Sequence, residues 1–387
     1  MNKLLLALQG LLFGLSATMP GVSGSGLLMS IGAHENAVNA LSPKPSELKR
    51  KLPYTISFSV GAVIGAVAFA LFLSAIVKRY PTASYFFVEG LIAGAIPLAF
   101  RFAYVNRKSI TGRNITIFVF ALGVSIAAGF THGASSSDYS LTQEPMKGNP
   151  AATVVTLTNN TKSTVKEWSI SYPQGKVSSV SGAKQIHTQS LAESFLARFR
   201  DSEPGKPNAF VPDDGAPKTI APGKSVTFVY AAKLRDKLQL SADVTYKLDA
   251  ILFIELLGAG FFAAGAAMIP GVSASLIMSM FGVYATVING LKNIDVAVLL
   301  PAAVGIMAGA FCGSYLVRSF SSRNFEMYYS MILGLFLGSM FIMFPDNVTF
   351  GAELIVGLVL FALGVAISFT ITAEKRSAED LRSVFDS

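Results

Sequence analysis

"MPGVSGSGLLMSIG", residues 19–32, interrupts an N-terminal apolar run that carries no charged residue between Leu4 and Ala33. Pro20, Gly21, Gly24 and Gly26 break a helix there, and Ser23 and Ser25 place hydroxyls where lipid is expected. Irregular backbone is tolerated at membrane depth only where protein or a water-filled cavity satisfies its polar groups. The preceding arm, residues 4–19, would reach about 24 Å as a helix, short of a hydrocarbon core of about 30 Å. The break therefore reads as the tip of a re-entrant hairpin.

The rest of the chain agrees with a membrane setting. It is 52% hydrophobic and 14% charged, against about 25% charged in soluble domains, with a mean hydropathy of +0.53. Residues 52–77, 114–131, 296–317, 327–345 and 354–373 carry no charge, and each is long enough to span. An α-helical polytopic membrane protein is expected. The first apolar run is too long for a signal-peptide core, so it reads as retained. Cys312, the sole cysteine, lies within an apolar span, which excludes a disulfide framework and a thiol metal site. His34, His132 and His187 lack metal-ligand companions, and no Ser-His-Asp, HExxH or phosphate-loop pattern occurs. No enzyme activity, catalytic residue, metal or cofactor is expected. The net charge of +8 is explained by its distribution over loops rather than by nucleic acid.

Residues 132–248 differ: polar, rich in Ser, Thr, Lys and Pro, and holding the only tryptophan, Trp168. "ATVVTLTN", "VKEWSISY", "SVTFVYAAKL" and "SADVTYKL" read as strands between turn signals, and "LAESFLARF" reads as a helix. The segment is expected to be a small β-rich, immunoglobulin-like insertion (132–248) between membrane halves 1–131 and 249–387. It offers a surface for an outer-face protein partner.

The halves repeat. A shift of 250 lays "PGVSGSGLLMSIGAHENAVNAL" (20–41) on "PGVSASLIMSMFGVYATVINGL" (270–291). A shift of 244 then matches Gly61 with Gly305, Gly65 with Gly309, Tyr85 with Tyr329, Gly90 with Gly334 and Gly94 with Gly338. One hairpin plus three spanning helices per half starts the second copy from the opposite side, so the repeats are expected to be inverted. Lys3, Lys44, Lys49, Arg50, Lys51, Arg101, Arg107, Lys108, Arg113, Arg318, Arg323, Lys375, Arg376 and Arg382 then fall on one side, with only Lys78, Arg79 and Lys292 in the short opposite loops. The positive-inside rule makes the basic side cytoplasmic. Both termini are cytoplasmic and the insertion extracytoplasmic on this reading. Two full spans in place of each hairpin give the same sidedness.

Broken helices in inverted repeats are the architecture of secondary transporters. A helix starting after Pro-Gly offers free N–H groups and a positive dipole end. Ser23, Ser25, Ser273 and Ser275 add hydroxyls, and Pro20, Gly21, Gly24, Pro270 and Gly271 shape the turns. Two such tips face to face would cradle an anion such as phosphate.

"GLSATMPGVSGSGLLMSIGAHE", "AAMIPGVSASLIMSMFGVYATVI" and "FFVEGLIAGAIPL" resemble the bacterial polyprenyl-phosphate transporter family over both membrane halves. The insertion lies outside the resemblance, and the first motif reads Ser23-Gly24-Ser25-Gly26 where Ser-Gly-Gly-Thr is usual. The resemblance implies a bacterial cytoplasmic (inner) membrane protein. Its implied substrate is undecaprenyl phosphate, returned from the outer to the inner leaflet for envelope synthesis. A transporter of a small soluble anion and a scaffold acting through the outer domain are the competing readings.

Intramembrane ionisable groups come next. Glu89 and Glu255 fall inside apolar segments and are proton-coupling candidates, with Glu35 after the first motif as a third. Arg101 either pairs with phosphate or marks a cytoplasmic helix end. His34 has no evident partner and receives no role.

Overall fold

The computed structural model describes residues 3–41, 48–73, 76–77, 80–103, 112–132, 139–172, 177–186, 209–232, 240–343 and 352–373. The expected helix at 191–199 lies outside these residues. The chain divides into two compact units, one of Met1–Ser135, Leu257–Met280 and Ala302–Ser387, the other of Ser136–Leu256 and Phe281–Pro301.

The first half contributes α1 (Lys3–Thr18), α2 (Gly24–Ser30), α3 (His34–Leu41), α4 (Leu48–Ala68), α5 (Pro81–Ala103) and α6 (Gly112–His132). A π-helical turn, Phe69–Leu73, extends α4. The second half gives α7 (Ala250–Ala267), α8 (Ala274–Met280), α9 (Tyr284–Asn293), α10 (Val296–Arg323), α11 (Phe325–Met343) and α12 (Ala352–Ala373). Five helices among the described residues are long and apolar enough to cross a membrane, and the bent pair α8–α9 makes a sixth candidate. Their exposed side chains include large apolar ones such as Ile64, Phe100, Ile254, Leu300 and Val359. Such surface is stable only against lipid. This is a multi-pass membrane protein.

Small residues set the helix contacts of the first unit. A Cβ on Gly10, Gly14, Gly61 or Gly65 would collide with the facing backbone of the α1–α4 pair, and Gly305, Gly309 and Gly313 play the same part between α7 and α10. Without a hydrophobic drive between helices in lipid, such close backbone approach is what holds them together. The remaining pairs cross between halves. Gly90 of α5 meets Phe361 of α12, while Gly334 of α11 meets Phe118 of α6. Each half thus supplies one helix to the other's bundle.

The apolar arms at 21–41 and 271–291, expected as single segments, are each broken. Gly32 (φ 63°) and Gly282 (φ 69°) take the left-handed conformation. In the first arm the Gly32 N–H donates to Met29 O at 2.9 Å and the Ala33 N–H to Leu28 O at 2.7 Å. That pair of bonds is a Schellman termination, which closes α2 and satisfies its last carbonyls. In the second arm α8 ends at Met280 and α9 begins at Tyr284, on either side of Gly282.

The second unit carries two antiparallel sheets of four strands. One runs β1 (Tyr139–Met146), β2 (Asn149–Asn159), β7 (Ser225–Ala232), β4 (Val177–Ser181); the other runs β5 (Ala183–Ile186), β6 (Ala209–Pro212), β3 (Val165–Ser171), β8 (Ser241–Tyr246). Phe228 of the first sheet contacts Trp168 and Phe210 of the second, ring centroids 6.1 and 5.0 Å apart, so the inner faces pack on each other. The buried indole donates to Pro217 O at 3.1 Å. Asp249 caps α7, its Oδ1 accepting from the Leu252 N–H at 2.8 Å and from Ser163 Oγ at 3.1 Å.

Candidate functional site

Two Pro-Gly turns meet inside the helical unit. In each, the Val N–H returns to the carbonyl three residues back, Val22 to Met19 at 3.2 Å and Val272 to Ile269 at 3.1 Å. Pro20 and Pro270 hold the second turn position, while Gly21 (φ 77°) and Gly271 (φ 94°) take the third. This is the type II pattern, which needs glycine at that position. Ser23 then caps α2, accepting from the Gly26 N–H at 3.1 Å, and Ser273 caps α8, accepting from the Leu276 N–H at 3.3 Å.

The turns are bonded to each other. The Gly271 N–H donates to Ser23 Oγ at 3.0 Å, and Ser275 Oγ donates to Met19 O at 2.9 Å. Ser273 and Ser275 hydroxyls lie 2.8 Å apart, those of Ser23 and Ser25 3.4 Å. Gly21, Ser23, Gly24, Ser25, Pro270, Gly271, Ser273 and Ser275 are all buried, and Pro20 is half-buried. Of the hydroxyls expected to face a ligand, those of Ser23 and Ser275 are engaged between the halves, while Ser25 and Ser273 make contacts within their own turns.

A second polar cluster lies one helix further on. The break at Gly32 starts α3 at His34 and Glu35, both buried, and α11 presents Tyr328 and Tyr329, fully buried, to them. His34 Nε2 and Tyr328 Oη are 2.9 Å apart; Tyr329 Oη donates to Glu35 Oε1 at 3.3 Å. Phe102 and Phe325 pack on the Tyr329 ring at 5.0 and 4.8 Å, walling this pair off. Glu35 is thus placed among buried side chains, and His34, which the sequence left without a role, has a partner. Neither tyrosine is marked by a motif. A tandem Tyr-Tyr in an apolar helix, with Tyr329 matched to Tyr85 across the repeat, was the available signal.

The other expected residues separate. Glu89 of α5 is 4% exposed, and its Oε1 lacks a hydrogen-bond partner among the described residues. Glu255 differs from a carboxylate deep in a span. It sits early in α7, its side chain 24% exposed, 3.7 Å from Lys162 on the β2–β3 turn. It follows the apolar run 250–254 in the first turns of α7. Arg101 is exposed in the last turn of α5. Among the described residues no cluster of His, Cys, Asp and Glu is arranged to hold a metal.

A family model described as VCA0040-like, undecaprenyl phosphate translocase-like, matches residues 3–134 and 223–357. The chain belongs to this family. Both Pro-Gly turns and the His34–Tyr328 and Glu35–Tyr329 pairs fall within the residues shared with the translocase-like family, whereas most of the β unit falls outside them. A protein named polyprenyl-phosphate transporter from Staphylococcus aureus is 32% identical over 142 residues, covering 34% of this chain and 50% of that protein. The chain thus matches about half the length of that curated relative. No solved structure gives a significant match.

Proposed function

We propose that this protein translocates a polyprenyl phosphate between bilayer leaflets, carrying the lipid inward for reuse in cell-envelope synthesis. The observation that carries this reading is the pair of matched Pro-Gly turns joined across the halves by the Gly271 N–H to Ser23 Oγ and Ser275 Oγ to Met19 O bonds. In this reading the halves are inverted repeats with re-entrant hairpins, the joined turns are a closed state, and a phosphate opens it by taking over these donors. The exchange is favourable. A neutral hydrogen bond nets about 0.5–1.5 kcal/mol, and one to a charged group about 1.5–3 kcal/mol. In this reading the termini are cytoplasmic, the membrane is the inner one and the β unit lies outside, which the bias of basic residues among the loops supports.

Inward movement of a phosphate monoester carries about 1.5–2 negative charges, opposed by roughly 3.5–4.6 kcal/mol per 100 mV of potential, inside negative. A co-transported proton offsets part of this. Glu89, buried and without a hydrogen-bond partner at Oε1, is the carrier we propose; the exposure and Lys162 pairing of Glu255 argue against it in that role.

The test is binding and uptake of polyprenyl phosphate by protein in liposomes, with inorganic phosphate as competitor. Replacement of Ser275 by alanine, which removes one of these donors, is expected to lower lipid affinity about tenfold. Unchanged affinity in the folded variant, or equal preference for inorganic phosphate, overturns the reading.

A further inference from the structure

Beside the second Pro-Gly turn, helices α7, α10 and α11 enclose a groove of about 460 Å³, within the roughly 300–1,000 Å³ of small-molecule sites. Its walls are Phe261, Phe262, Leu316, Val317 and Met331, and it reaches Ile269, the residue before Pro270, and the ring of Tyr328. Phe262 and Leu316 are exposed at its mouth, whereas Val317 and Tyr328 at its floor are buried. We propose that this groove holds the isoprenoid chain of the lipid, an inference that rests on the transport reading above.

One observation chooses that occupant: the groove joins polar chemistry at its inner end. Tyr328 turns its ring to the cavity and its hydroxyl to His34 at 2.9 Å, and Ile269 leads directly into the Gly271 N–H that meets Ser23. A ligand seated there has an apolar body along the groove and a polar head at the turns. The polyprenyl phosphate of the transport reading is such a molecule, and the mouth at Phe262 and Leu316 opens where lipid is met.

The test is photo-crosslinking in phospholipid nanodiscs with a polyprenyl phosphate carrying a diazirine along its chain, adducts being mapped by mass spectrometry. Adducts are expected on Phe261, Leu316 and Met331. Excess unlabelled polyprenyl phosphate should reduce them at least tenfold, and an equal excess of diacyl phosphatidic acid should not. The paired substitution Ala266→Phe and Cys312→Phe, which refills the groove, should lower the same adducts about tenfold. If the double variant does not fold, the wild-type map decides alone. Equal competition by phosphatidic acid overturns the proposal, because the groove then holds any lipid chain. Saturable adducts elsewhere overturn it while leaving transport of the lipid standing. No saturable adduct anywhere overturns the transport reading and this inference with it.

Discussion

Replacing Ser23 by alanine removes one oxygen from two buried donors at once. Its Oγ accepts the Gly26 N–H at 3.1 Å, the cap of α2, and the Gly271 N–H at 3.0 Å, the link to the other half. Ser23 is 1% exposed, so water cannot reach the vacated donors. A buried donor left unsatisfied costs about 1–3 kcal/mol, which places Ser23→Ala at roughly 2–6 kcal/mol, a large share of a typical total stability of about 5–15 kcal/mol. Ser25→Ala is the internal control. It is equally buried, but its recorded contact is a hydroxyl at 3.4 Å, so a loss under about 1 kcal/mol is expected. The assay is the fraction of protein that stays monodisperse by size exclusion after graded heating in detergent. Tryptophan fluorescence is unsuitable because Trp168 reports the β unit. A double-mutant cycle of Ser23→Ala with Ser275→Ala then measures whether the two turns act as one unit. If Ser23→Ala melts with the wild type, or no earlier than Ser25→Ala, the joined turns do not hold the halves together.

Other outcomes follow from the same contacts. Tyr329→Phe removes the donor to Glu35 at the cost of about 1 kcal/mol and is expected to slow liposome uptake of polyprenyl phosphate severalfold while expression stays normal; unchanged uptake detaches this cluster from transport. Glu89→Gln is expected to leave thermal stability equal or higher, since the carboxyl oxygen has no partner to lose, yet to abolish the response of uptake to an imposed proton gradient. A retained response rules Glu89 out as the carrier. Glu255→Gln should behave as wild type in both assays, because its partner Lys162 is 77% exposed and such surface pairs contribute about 0–1 kcal/mol.

The Pro-Gly turns were legible because they occur twice and because proline, glycine and serine at that spacing prescribe a turn and a cap whatever surrounds them. The breaks at Gly32 and Gly282 were less so. Both glycines coincide in the repeat, but a glycine within an apolar run ends a helix only when the carbonyls behind it find the N–H groups ahead, as Leu28 and Met29 do here. The partner of His34 was not legible at all. Tyr328 lies 294 residues away, and only the packing of α11 on the first half brings the two together. The pairing of Glu255 was not legible either, because the lysine beside it, Lys162, comes from a turn in the inserted unit.

The exchange of helices between halves has a consequence for how the protein is made. Gly90 and Gly94 of α5 are shaped for the backbone and side chains of Phe361, Val365 and Ser368, and Ser368 also donates to Ser30 O at the end of α2. These partners belong to α12, which leaves the ribosome after every other helix described. The N-terminal half, once inserted, must wait with a bare glycine seam and an unclasped short helix until α12 is made. A chain stopped before residue 352 is therefore expected to meet the membrane quality-control proteases as an unfinished object. By the same logic the two halves, synthesised as separate polypeptides, carry within their seams all that is needed to find one another.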